Sequence, residues 1–284
     1  MSSSFVTPLR YPGGKGRLGH WLGTLLRHNR LSGGWYVEPY AGGAGAAVFL
    51  LTRGLVNHIV INDADPAVYA FWHSILHDTE RFLQLLDDTP INVETWEAQR
   101  GIHAAPAEHD MTEVGFATFF LNRTNRSGIL AGGVIGGKDQ TGNYKIDARF
   151  NKGQLRDRIS LLASMRRHIS IYGVDAMDLV RGIEADLPER SLVYFDPPYY
   201  EKGSQLYRNF YDHDDHKGIC EVIGTIDTPW LVTYDNCQQI RDLYDGYDSI
   251  EFGLTYSTHL SRPKATEIMF YQNLALPSPP ELRR

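Results

Sequence analysis

With 284 residues, 42% of them apolar, the chain is long enough to bury a sizeable core in one large domain or two. No apolar run approaches the ~18 residues that cross a bilayer, and residues 1–5 lack a basic segment followed by an apolar one, so the expected location is cytoplasmic with no membrane partner. Cys220 and Cys237 make no C-x-x-C pair, which excludes a disulfide framework and a cysteine-built zinc site.

The formal net charge of −6 argues against a polyanion partner until its distribution is considered. Residues 122–170 carry ten Lys and Arg against three Asp, a local +7. A basic block inside an acidic protein suits a nucleic-acid contact surface, although some of these side chains serve only to solvate a helix.

The first motif is Tyr11-Pro12-Gly13-Gly14-Lys15, a turn leading into a helical pattern through Trp21, Leu22, Leu25 and Leu26. A phosphate-binding P-loop fails here, because Leu9 stands where its first glycine belongs and Gly16 where a Ser or Thr would hold magnesium. Lys15 either faces a bound ligand or is a solvated lysine at a helix start. Trp35-Tyr36-Val37-Glu38 then reads as a short buried strand, followed by the glycine-rich turn Pro39-Tyr40-Ala41-Gly42-Gly43-Ala44-Gly45 and a helix. That succession opens a nucleotide-type βαβ unit. Glu38 at the strand end would repel a pyrophosphate and attract an ammonium. The next strand, residues 58–62, ends at Asp63, which lies 18 residues past Gly45, near the offset at which an acid captures ribose hydroxyls. A helix N-cap ahead of Pro66 is the other reading of Asp63. Together the two acids suit S-adenosylmethionine better than a dinucleotide.

Residues 73–169 interrupt the alternation. Helical patterns at 80–86 and 114–121 precede a stretch rich in Gly, Arg and Asn, where glycines at 128, 132, 133, 136, 137 and 142 argue for loops or a loose hairpin. Such loops offer phosphate contacts and base-edge partners together. An amphipathic helix begins at Lys152. Alternation returns with a strand at 169–172 followed by Asp175, and with the apolar run Ser191-Leu192-Val193-Tyr194-Phe195, which Asp196-Pro197-Pro198-Tyr199 ends abruptly. A carboxylate, a proline carbonyl and a phenol ring then stand at the end of a strand, which suits a planar substrate bearing an amino group; a purely structural Pro-Pro turn is the alternative. Residues 201–211 and 256–264 read as polar loops, 214–226 as a helix, and 230–234, 248–253 and 267–272 as strands. The acids and histidines at 212–216 are expected to cap a helix, with no metal.

Taken in order, Tyr11-Pro12-Gly13-Gly14-Lys15, Glu38-Pro39-Tyr40-Ala41-Gly42-Gly43, Asp63, the basic insertion and Asp196-Pro197-Pro198-Tyr199 resemble the Dam-like DNA adenine N6-methyltransferases, over about residues 5–273. The resemblance implies an α/β fold: a Rossmann-like S-adenosylmethionine-dependent methyltransferase sheet, residues 1–72 and 170–275, carrying a mainly helical and loop target-recognition insertion, residues 73–169. Residues 276–284 are expected to form a disordered tail. It implies cofactor contacts at Tyr11, Lys15, Glu38, Pro39, Gly43, Asp63, Asp175 and Asp196, and a catalytic turn of Asp196, Pro197, Pro198 and Tyr199 acting on an adenine flipped out of double-stranded DNA. DNA contacts are expected at Arg123, Asn125, Arg126, Ser127, Lys138, Arg149, Asn151 and Lys152. Dam itself carries Asn-Arg-x-Gly-Tyr-Asn-Gly where this chain has Asn122-Arg123-Thr124-Asn125-Arg126-Ser127-Gly128, a departure that leaves the recognition sequence open. A cytosine-N4 or RNA-adenine enzyme of the same fold, and a catalytically silent DNA-binding regulator, are the competing expectations.

Overall fold

The computed structural model describes residues 7–10, 15–201, 211–255 and 264–280. The elements follow one another as α1 (Gly19–His28), β1 (Trp35–Glu38), α2 (Gly45–Thr52), β2 (His58–Asn62) and α3 (Pro66–His77), then α4 (Thr79–Asp88), α5 (Val93–Ala104), α6 (Met111–Thr124) and α7 (Lys152–Ser164). They continue with β3 (Ile169–Tyr172), α8 (Ala176–Ile183), β4 (Ser191–Phe195), α9 (His213–Ile223), β5 (Trp230–Asp235), α10 (Gln238–Leu243), β6 (Asp248–Thr255) and β7 (Lys264–Gln272).

The strands form a seven-stranded sheet in the order β3-β2-β1-β4-β5-β7-β6. The first five are parallel, and β7 runs antiparallel between β5 and β6. This is the Rossmann-like arrangement expected from the sequence. Neighbouring residues on one strand feed opposite faces: Tyr36, Ile59, Leu192 and Tyr194 join the core under α1 to α3, while Val37, Val60, Val193 and Phe195 join the core under α8 and α9. Burial on both faces is why β4 and β5 are mostly apolar and do not alternate with polar residues.

The expected boundary at residue 72 falls inside α3, which is continuous to His77. Phe71 stacks on Phe119 of α6 at 5.9 Å and meets Phe82 of α4 edge-on, so the insertion and the sheet share one core. Periodicity did not disclose α5 or α10: α5 buries only Trp96 and α10 only Ile240. The acids at the start of α9 form a capping box, in which Asp212 and Asp215 each accept the other's backbone N–H. The C-terminal segment departs from expectation through residue 280. Ala275 exchanges hydrogen bonds with Asn29, Leu276 packs on the core and the Trp21 indole donates to the Ser278 carbonyl, while residues 281–284 lie outside the described range.

Candidate active site

The parallel strands bring their C-terminal ends to one edge of the sheet, and the order of travel reverses between β1 and β4, which opens a crevice there. Glu38 ends β1 on one lip and Asp196 follows β4 on the other. Between β1 and α2 the chain turns through left-handed backbone at Gly42 (φ +48) and Ala44 (φ +46). Close approach sets the next position: a Cβ on Gly45 would stand 3.2 Å from the Gly16 Cα.

Neighbouring polar groups fix this loop. Asp63 accepts from the Gly42 and Asp65 backbone N–H groups, each at 2.9 Å, and the Trp72 indole donates to the Gly42 carbonyl at 2.9 Å. The cap of α3 is therefore Asp65, which accepts from Ala67 N–H, and not Asp63. The Pro39 carbonyl accepts from Asn62 and the Gly43 carbonyl from Thr7. Asn62, which sequence reasoning passed over, also bonds both backbone groups of Val174 at 3.0 Å, tying together the ends of β1, β2 and β3.

Burial raises the Glu38 carboxyl to about 8, against the opposing pull of the Tyr36 phenol and the Ala47 N–H, which donates at 3.0 Å. Asp63 is raised to about 6, again by burial first, with its two backbone donors opposing. No basic side chain among the described residues offsets either acid. Among the described residues neither carboxyl is paired with a cation, which leaves both open to a cationic partner.

On the other lip, Lys15 is not a solvated lysine at a helix start; its side chain is 4% exposed. Its ammonium lies 3.1 Å from Asp196 Oδ1, donates to Glu267 Oε1 at 3.1 Å and to the Tyr199 hydroxyl at 3.2 Å, and stands 5.3 Å from the Tyr199 ring centre. Tyr199 in turn donates to Glu267 Oε1. Thr233 donates to Asp196 Oδ1 at 3.0 Å and is itself bonded to the Tyr194 hydroxyl. Beyond the prolines, Asp235 accepts from the Tyr200 and Glu201 N–H groups at 2.8 and 2.9 Å, so β5 clasps the turn from below. Pro197 and Tyr199 are buried and Pro198 half-buried. Glu267, Thr233 and Asp235 escaped the sequence reading, although a lone acid in the otherwise apolar run Glu267-Ile268-Met269-Phe270 was a visible signal.

Asp175 is exposed and caps α8 through the Met177 and Asp178 N–H groups, between the exposed side chain of Val174 and the crevice-side start of that helix. Tyr11 lies outside the described residues, as does most of the loop at 256–264.

The candidate DNA residues divide. Arg123, Arg149 and Asn151 line one cleft of about 470 Å³ together with Asp147 and Gln154. Arg158, from the basic block, and Arg10, not expected from sequence, lie within electrostatic reach of Arg123; burial first, then Arg10, Arg158 and Arg149, lower its guanidinium to about 9. Arg123 and Arg158 also donate to the Pro8 and Thr7 carbonyls, which holds the N-terminal segment beside the cleft. Arg126 is exposed and Ser127 adopts left-handed backbone (φ +59) in the adjoining turn. Asn151 caps α7. Two expectations need correction. Asn125 is buried, its amide donating to the Ile129 and Leu130 carbonyls and its oxygen accepting from the Trp96 indole, so it braces the turn and presents nothing outward. Lys152 donates to the Asp87 and Thr89 carbonyls, closing the C-terminal end of α4. Lys138 is exposed and paired with Glu97 at 2.8 Å.

Comparison with known proteins places these features in a family. Among solved structures, the chain is similar to a SAM-dependent methyltransferase from Agrobacterium tumefaciens, with 10% identity and a TM-score of 0.42 over 89% of this chain; it spans 60% of that chain. It is also similar to the rRNA methyltransferase aviRa from Streptomyces viridochromogenes, with 14% identity and a TM-score of 0.36 over 88% of this chain and 82% of the other. No curated protein matches the chain. The family described as D12 class N6 adenine-specific DNA methyltransferase matches residues 11–258, from the first glycine motif past the acceptor turn and the end of β6. The chain belongs to the D12 class N6 adenine-specific DNA methyltransferase family.

Proposed function

We propose that this protein transfers a methyl group from S-adenosylmethionine to N6 of an adenine flipped out of double-stranded DNA. What carries the reading is the pairing across the β1/β4 crevice of a buried, cation-free Glu38 with the rigid acceptor turn at Asp196. When bound, S-adenosylmethionine supplies an electrophilic methyl group. Glu38 receives the cofactor's ammonium, the Pro39 to Gly43 turn offers backbone at close range, Asp63 meets the ribose and Asp175 the adenine end, with Tyr11 and Lys15 completing the pocket.

Flipping the target base costs a few kcal/mol, and stacking on the Tyr199 ring returns ~1–3 kcal/mol. Lys15 and Thr233 both engage Asp196 Oδ1, so Oδ2 and the Pro197 carbonyl accept the two N6 hydrogens. Those bonds draw the N6 lone pair out of the ring's conjugation and aim it at the methyl carbon. S-adenosylmethionine held there would supply the methyl group to that lone pair, its sulfur retaining the bonding electrons, and Asp196 would take the surplus proton of N6 along their hydrogen bond. Positioning and fixed electrostatics supply the catalysis.

Residues 73–169 act as the target-recognition insertion. Arg123, Arg149 and Asn151, joined by Arg10 and Arg158, seat the phosphate backbone, and the turn at Arg126 and Ser127 faces the bases. Purified protein given S-adenosylmethionine and DNA, with the product digested to nucleosides and weighed by mass spectrometry, is expected to yield N6-methyladenine. A product of N4-methylcytosine alone would sink the reading. Asp196→Ala is expected to abolish transfer while DNA binding survives.

A further inference from the structure

We propose that Glu267, on β7, is a positioning residue for methyl transfer: it holds the Lys15 ammonium and the Tyr199 hydroxyl so that the Asp196 acceptor and the Tyr199 ring are set before the base arrives. The inference rests on the roles given above to Asp196 and Tyr199.

The antiparallel direction of β7 brings Glu267 opposite Asp235 at the C-terminal end of β5, beside the acceptor turn. Its side chain shares a strand face with Met269, among apolar groups, and is 1% exposed. Burial and the nearby Asp196 both disfavour its charged form, and Lys15 and Tyr199 oppose them. A carboxylate in that position survives because Lys15 and Tyr199 both bond the same oxygen, Oε1. The Lys15 ammonium contacts Glu267, Tyr199 and Asp196. The two carboxylates share it at the same distance, 3.1 Å.

That sharing has a chemical consequence. Removing the Glu267 charge would take one of these two carboxylates from the ammonium and shift it towards Asp196, the carboxylate that the N6 amine needs. The Tyr199 hydroxyl would be left with a neutral, weaker acceptor at that position, loosening the hold on the ring that carries the base. Exposure is graded to match, from Glu267 through Lys15 at 4% to Asp196 at 28%, so the innermost acid is out of reach of substrate and acts through the other two.

The test is a single-turnover methylation assay on the full chain, with DNA and S-adenosylmethionine saturating and N6-methyladenine counted by mass spectrometry. Glu267→Gln, which keeps the shape and removes the charge, is expected to slow transfer by about 10- to 100-fold. KM for DNA and cofactor and the melting temperature should stay near wild type. Lys15→Met should be similarly slow, and the double variant no slower than Lys15→Met alone, because both act through one contact. Tyr199→Phe, which keeps the ring, gives a second variant should Glu267→Gln fold poorly; its loss should likewise fail to multiply with that of Lys15→Met. A Glu267→Gln rate within about twofold of wild type, a loss confined to KM, or losses that multiply would overturn the positioning role. Wild-type protein yielding no N6-methyladenine would overturn the function itself, so the two failures are told apart by the wild-type lane.

Discussion

Glu38 occupies a place where a charge is costly, and that makes its proton a reporter. Its folded-state value of about 8 lies above the ordinary 4.5, so the folded protein keeps a proton that the unfolded chain releases between those limits. The stability this group contributes is complete below pH 4.5 and is lost as pH rises through about 8. Cofactor binding has the opposite slope, because an ammonium ligand prefers the carboxylate. Affinity for S-adenosylmethionine should rise as pH approaches 8, with proton release on binding near pH 7. Isothermal titration in buffers of different ionisation enthalpy measures that proton, and its absence would refute the assignment. Glu38→Gln should remove the release and weaken cofactor binding by about 10- to 100-fold, the worth of a hydrogen bond to a charged group. Glu38 and Asp196 were legible because each follows a short apolar run and precedes a residue that breaks it. Glu267 was not, since its role depends on a strand register reaching back to Lys15, 252 positions away.

At the scale of elements, the strand ends are held by side chains rather than by the strands alone. Asn62 donates to the Pro39 carbonyl and exchanges hydrogen bonds with Val174, and at 1% exposure water cannot replace it. Asn62→Ala should lower stability by ~2–3 kcal/mol in chemical denaturation, because buried backbone groups would go unsatisfied. A loss under ~0.5 kcal/mol would show that the loops after β1 and β3 are held some other way. The strands, α6 and α7 could be read from periodicity. Their limits could not: α3 runs through the expected domain boundary because Phe71 serves the sheet and the insertion together, a contact that no local pattern records. Asn125 misled for a similar reason. Its polar side chain in a basic loop resembled a DNA donor until Trp96, 29 residues earlier, claimed its oxygen.

For the molecule as a whole, the acidic total and the basic insertion make binding to DNA sensitive to salt. Each phosphate contact contributes roughly one unit to the slope of log affinity against log salt. Arg149→Ala should therefore reduce that slope by about 1, while Lys138→Ala, whose charge is already answered by Glu97, should barely change it. Filter binding across a salt series distinguishes the two, and equal slopes for both would remove the cleft from the DNA surface.

The place of β7 in the sheet also bears on synthesis. Lys15 leaves the ribosome 252 residues ahead of Glu267, which lies on a strand that must insert between β5 and β6. Contacts so distant in sequence form last. A nascent chain therefore carries the acceptor turn before it can tether it through Glu267.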